Sequence, residues 1–316
     1  MLSNHKRQNI TSSLNVWLRE LRAPFFTASI VPVFVGTAAA YYSVGVFSLP
    51  LFMLALVGMV SLHAGANIAN DYFDHTSGND WFNKNPTPFS GGSRLIQEGL
   101  LRPKSVLFAC WVALSIGILA GIIILVITKS TLILILGLIG VFGGYFYTAS
   151  PIRLGYRGIG ELIIAFLFGI LPVFGSYYLQ TQRLDVGPLV PSLIIAGLIF
   201  IVILINEFPD KDADGAAGKR TLVVMFGNKS AGLIYRIVLL GTYILAAIAA
   251  LLYKLSALPY VLYLLTFPLG LYALKSFRQD VPGASGRFNV NIITILLHFL
   301  GGIMLSAGFL LVAGLN

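Results

Sequence analysis

Residues 188–220, PLVPSLIIAGLIFIVILINEFPDKDADGAAGKR, join an almost unbroken apolar run to three aspartates and a Lys-Arg pair. A run of roughly twenty apolar residues is long enough to cross about 30 Å of hydrocarbon as a helix. It lacks the two-residue alternation of a barrel strand, and only helices and closed barrels satisfy their backbones in lipid. Asp210, Asp212, Asp214 and Gly215 also spell D-x-D-x-D-G, the opening of a calcium-binding EF-hand loop. Such a loop needs a bidentate Glu at its twelfth position. That position is Thr221, with Lys219 and Arg220 just before it, so the calcium reading fails. The aspartates end a membrane span and serve something else.

The rest of the chain repeats this pattern. Of 316 residues, 57% are hydrophobic and 10% charged, and the mean hydropathy is +0.86. Soluble domains carry about a quarter charged residues. Nine apolar stretches predict spans at 24–43, 50–70, 105–127, 131–149, 159–180, 188–207, 231–253, 257–275 and 289–313. The expected fold is an all-α integral membrane protein: one domain over 1–316, a bundle of nine transmembrane helices behind a polar tail at 1–20. Of the 21 Lys and Arg residues, only Lys129, Arg183 and Lys254 fall in the alternate loops. The positive-inside rule then puts the N-terminus in the cytoplasm and the C-terminus outside. The short polar tails suggest a prokaryotic cytoplasmic membrane, with a plastid or other organelle as the alternative. The net charge of +9 is accounted for by this topology and by anionic lipid, with no nucleic-acid partner. The single cysteine, Cys110, lies in a span and has no intramolecular disulfide partner. No cleavable signal peptide is expected, because the first 20 residues lack an apolar core.

The acids gather in two places, after the second and sixth spans and on the same side: 67-NIANDYFDHTSGND-80 and 206-NEFPDKDADGAAGKRTL-222. Asn67, Asn70, Asp71 and Asp74 fall at i, i+3, i+4 and i+7, one face of a helix. Asp210 and Asp214 share a face, and Asp212 points elsewhere. Pro209 predicts a kink or a fresh helix start before Asp210. Each Asp at the centre of a span costs about 2.5–3.5 kcal/mol on insertion scales, so four facing inward need a cation or solvent. Carboxylate and amide oxygens suit Mg²⁺, which typically binds through one or two carboxylates plus substrate phosphates.

These motifs resemble those of the UbiA superfamily of intramembrane prenyltransferases, in which two aspartate-rich segments follow helices 2 and 6. The resemblance rests on Asn70-Asp71-Tyr72-Phe73-Asp74 and on Asp210-x-x-x-Asp214 followed by Lys219-Arg220-Thr221-Leu222. Gly78 stands where many members have a further Asp, and the next acid here is Asp80. The stretches 21–38, 91–101 and 145–181 look like the branch that prenylates 1,4-dihydroxy-2-naphthoate for menaquinone, although Asn206-Glu207 replaces the Asn-Asn of many of those enzymes.

The resemblance implies transfer of a polyprenyl group from a polyprenyl diphosphate to an aromatic ring, with decarboxylation for the naphthoate. Asp71, Asp74, Asp210 and Asp214, with Asn70 and Asn67, are the candidates to hold Mg²⁺ against the diphosphate. Arg94, Lys219 and Arg220 would neutralise the leaving group, and Arg22 and Arg153 are further substrate-binding candidates. Tyr147, within YTASP, is the leading aromatic face for an allylic cation, ahead of Tyr72 and Tyr156. His63 lies on the acidic face one turn deeper; Glu161 starts the fifth span as a cap or a site residue; His298 reads as structural. Acceptors such as 4-hydroxybenzoate, haem, chlorophyllide or a glycerol phosphate lipid would use the same chemistry. A cation-coupled transporter is the rival from another class.

Overall fold

The structure is a computed structural model that describes residues 13–84, 86–87, 89–277 and 290–315. Most of the polar tail and the basic loop at 278–289 lie outside that range. Within it, eight helices are long and apolar enough to cross a membrane. They are α1 (Ala23–Val44), α2 (Leu49–Ser77), α3 (Pro103–Thr128), α5 (Gly160–Thr181), α6 (Leu189–Ala216), α7 (Leu222–Tyr253), α8 (Leu258–Ser276) and α9 (Val290–Leu315). The remaining apolar helix, α4 (Thr131–Tyr145), has 15 residues, about 22 Å of rise.

α6 is the central element: 67% of its apolar window is buried inside the bundle, against 28% for α2. Ile194, Ile195, Leu198, Ile201, Leu204 and Ile205 of α6 join residues of α1, α5, α7, α8 and α9 in the main core. A smaller core lies between α2 and α3. The outer faces carry Phe108, Val126 and Leu251, each about 70% exposed or more. A soluble protein could not tolerate such a surface, and lipid requires it.

Three expectations change. The fourth apolar helix ends at Tyr145 instead of running to 149. The chain there folds back, so that Leu154 and Gly155 N–H donate to the carbonyls of Phe146 and Tyr147. α8 is two short helices, Leu258–Leu264 and Phe267–Ser276, which meet just before Pro268. Most consequentially, α6 runs unbroken through Pro209, with no new start before Asp210. Proline removes the N–H that would bond the carbonyl of Ile205. Asn291 of α9 reaches that carbonyl at 3.4 Å and the side-chain oxygen of Asn206 at 2.6 Å. A neighbouring helix thus supplies the missing donor, and Asp210 and Asp214 stay on one continuous face.

Candidate active site

The two acidic helices meet at one end of the bundle. α2 ends at Gly78, whose φ of +86° turns the chain into the short helix Asn79–Phe82. Asn79 and Asn83, four residues apart, lie against α6. Asn79 Nδ2 donates to Asp214 at 3.0 Å and Asn83 Nδ2 to Asp210 at 2.8 Å. One i, i+4 pair of amides thus meets one i, i+4 pair of carboxylates across the helix interface. The Gly91 N–H adds a third bond, to Asp210 at 3.0 Å.

Lys219, just beyond α6, ties the motifs together. Its Nζ stands 3.4 Å from Asp214 and 3.9 Å from Asp74, and 5.8 Å from the centre of the Tyr156 ring. Burial alone would pull the ammonium down, but Asp214 and Asp74 outweigh it and hold its pKa well above the usual lysine range. Asp74 also accepts from Asn70 Nδ2 and from the Tyr156 hydroxyl, each at 3.0 Å.

Asp71 faces a different neighbourhood. It accepts from the Ser93 N–H at 3.0 Å, while the Ser93 hydroxyl donates to Glu20 at 2.6 Å. Its other oxygen is buried without a donor. Gly92, at φ +71°, passes so close that a Cβ there would sit 3.0 Å from Asp71 and 3.2 Å from Asp80. Burial, then the nearby Asp71, raises Glu20 to about 8. Burial, then Asp74 and Asp71, raises Asp80 to about 8. Carboxyl groups that disfavour one another's charge in this way form a donor set suited to a hard cation. Among the described residues, no three His, Cys, Asp or Glu side chains are arranged to hold a metal by themselves. Mg²⁺ in its common mode asks for only one or two protein carboxylates, with phosphate and water completing the shell, and Asp74, Asp210 and Asp214 would supply them.

A cavity of about 180 Å³ opens between the motifs. Asn67, Asn70, Asp74, Asp210, Asp214 and Lys219 line it, as do Arg22, Tyr147, Asp80 and Glu207. Arg22, at φ +52°, lies 4.8 Å from the centre of the Phe25 ring and donates to the Phe89 carbonyl at 3.3 Å. Burial holds the Tyr147 hydroxyl high, with Glu207 and Glu161 adding to it against Lys219, so its phenol stays neutral. His63, bonded to Ser29 at 2.6 Å, borders this cavity and also an apolar one of about 310 Å³. Ala66, Gly144 and Phe168 are likewise common to both linings.

Three expected anion ligands stand elsewhere. Arg94 donates to the backbone carbonyls of Asp80 and Asn83 and so braces the loop that caps α6. Arg153 lies over the Tyr156 ring at 5.4 Å, and Arg220 is exposed; none of the three lines the cavity. Asp212 is exposed, as its spacing predicts. Sequence reasoning passed over Glu20, Asn79 and Asn83. The i, i+4 spacing of the two asparagines, matching Asp210 and Asp214, was the available signal.

Residues 29–295 match the UbiA prenyltransferase family. The chain belongs to that family. It is 31% identical over 286 residues to the 1,4-dihydroxy-2-naphthoate octaprenyltransferase of Mycobacterium tuberculosis, covering 90% of this chain and 91% of the relative. It is 30% identical over 263 residues to the Escherichia coli protein of the same name, covering 82% and 83%. A Synechocystis 2-carboxy-1,4-naphthoquinone phytyltransferase is 28% identical over 298 residues, covering 93% and 92%. Among solved structures, a UbiA homolog from Archaeoglobus fulgidus bound to GPP and Mg²⁺ shares the fold, with a TM-score of 0.68 at 17% identity, covering 95% of this chain and 99% of that one. This UbiA-family member is an integral membrane prenyltransferase, as its motifs and helices lead one to expect.

Proposed function

We propose that the protein transfers a polyprenyl group from a polyprenyl diphosphate to 1,4-dihydroxy-2-naphthoate, with loss of the ring carboxylate, in menaquinone biosynthesis. One observation carries the reading: both aspartate motifs and Lys219 line a single cavity that shares its inner wall with an apolar one. A diphosphate fits the charged end and its hydrocarbon tail the apolar side. The names of the bacterial relatives support the naphthoate acceptor.

Mg²⁺ held by Asp74, Asp210 and Asp214, with Asn70 and Asp71 at the margin, would neutralise the diphosphate and ease its departure. Lys219 donates to the leaving diphosphate from between the two motifs. Arg22 binds the acceptor carboxylate at the cavity mouth. Tyr147 turns a neutral ring toward the cationic allylic carbon. Phe168 and the isoleucines of α6 keep water from that carbon. In this reading nine helices cross the bilayer, α4 being the short one, and the acidic end faces the cytoplasm.

The test is the purified protein in lipid, given a polyprenyl diphosphate with either 1,4-dihydroxy-2-naphthoate or 4-hydroxybenzoate, with and without Mg²⁺. A decarboxylated prenyl-naphthol formed only with Mg²⁺ is the expected product. Product from 4-hydroxybenzoate alone would replace the acceptor, and no product from either would overturn the assignment.

A further inference from the structure

Two carboxyl groups beside the cavity have no part in holding a diphosphate. Glu161, at the start of α5, is 1% exposed and accepts from the Leu222 N–H at 2.6 Å. That N–H opens α7, where backbone donors lack helical partners and the helix dipole favours negative charge. One Glu161 oxygen is thus accounted for as a cap on a neighbouring helix, and its other is buried without a donor. Glu207 caps nothing: it is 6% exposed, one of its oxygens receives no hydrogen bond, and it lines the cavity. Its carboxyl lies near that of Glu161. Two carboxyl groups held side by side can take up a proton and pass it from one to the other. Tyr147 and Lys219 face the pair, and Asp214 adds its charge from further along α6.

The position matters as much as the chemistry. Glu207, Asp210 and Asp214 fall at i, i+3 and i+7, on one face of α6. Glu207 is about 4.5 Å deeper along the axis than Asp210, on the side of Ile203 and Ile199, which also line the cavity. If diphosphate sits at Asp210, Asp214 and Lys219, the allylic carbon and the attacking ring lie at the level of Glu207.

We propose that Glu207, backed by Glu161, is the catalytic residue that accepts the ring-hydroxyl proton of the aromatic acceptor as the new carbon–carbon bond forms. The proposal rests on the prenyl-transfer reading above. The O–H bond breaks and its proton passes to Glu207, with Glu161 beside it. The O–H pair becomes a carbonyl bond while a ring π pair forms the bond to the allylic carbon. The carbon–oxygen bond to diphosphate breaks with its pair on the diphosphate. When the ring carboxylate leaves as CO₂, its bonding pair restores the aromatic ring and Glu207 returns the proton to the oxygen. The pair ends as it began, and no outside base is used.

The test compares wild type, Glu207→Gln and Glu207→Asp in lipid with Mg²⁺ and a series of ring-fluorinated 1,4-dihydroxy-2-naphthoates of graded hydroxyl acidity. Glu207→Gln should lower kcat by about 100-fold or more, the usual scale for a general base, with the donor KM unchanged. Its rate should rise steeply with acceptor acidity, where that of wild type barely responds, and Glu207→Asp should regain part of the loss. If Glu207→Gln does not fold, Glu161→Gln takes its place, and it must move the acidic limb of the kcat–pH profile at unchanged donor KM. Unchanged kcat and acidity response in Glu207→Gln, or an unmoved limb in Glu161→Gln, would overturn the proposal while leaving prenyl transfer intact. A wild type that prenylates no ring acceptor would overturn the transfer reading, and this proposal with it.

Discussion

Replacing Lys219 with methionine asks whether one side chain stands in for the metal. In the structure its ammonium lies 3.4 Å from Asp214 and 3.9 Å from Asp74, with side chains only 14%, 3% and 9% exposed. Removing one partner of a buried ion pair costs about 3–5 kcal/mol, because the charges left behind are uncompensated. Lys219→Met keeps the length and loses the charge, so the metal-free variant should unfold several degrees below wild type in detergent. Mg²⁺ should recover much of that loss, since a ligand at about 100 times its Kd stabilises by about 2.7 kcal/mol. Wild type should gain less from the ion, its carboxylates being already matched. The Lys219→Met/Asp214→Asn double variant should lose less than the two single losses together. The pH sign is definite. A raised lysine pKa contributes stability that is complete below the unfolded value, near 10.4, and is lost only above it, so titration of the lysine itself should not change the effect between neutral pH and pH 9. Thermal unfolding with EDTA or Mg²⁺ reads all of this. Equal melting temperatures for wild type and Lys219→Met in EDTA would refute the bridging role.

Other residues give sharper yes-or-no answers. Asp210→Asn should abolish turnover while the protein stays folded in membranes; an active variant would remove the core of the proposed mechanism. Gly92→Ala should cut activity strongly, because its Cβ would stand 3.0 Å from Asp71 at a φ of +71°, whereas Gly99→Ala, at the same φ with nothing within 4 Å, should carry only the backbone strain. Glu20, raised to about 8 by burial and Asp71, should make metal-free wild type lose stability as pH rises from about 4.5 toward 8, since the folded state holds that proton more tightly. Glu20→Gln should flatten that slope in thermal scans, and an unchanged slope would count against the burial of the carboxyl.

The membrane bundle was legible in the sequence because hydrophobic length is a local property. Residues 188–207 must form a buried or lipid-facing helix whatever surrounds them, and the asymmetric Lys and Arg loops imply a topology before any packing is known. Helical spacing is equally local, so Asp71 with Asn67 and Asp74 with Asn70, and Asp210 with Asp214, shared faces on sequence grounds alone. Which faces meet is decided by packing summed over the whole bundle. The tertiary structure set Asn79 and Asn83 against the α6 aspartates, turned Asp71 toward Glu20 and Ser93, and gave Arg94 to the backbone beneath the loop. It carried α6 on through Pro209 as one helix, with Asn291, 82 positions away in sequence, answering a carbonyl that proline leaves open. It also brought Glu207 near Glu161 across two helices, a proximity between residues whose sequence separation carries no trace of it.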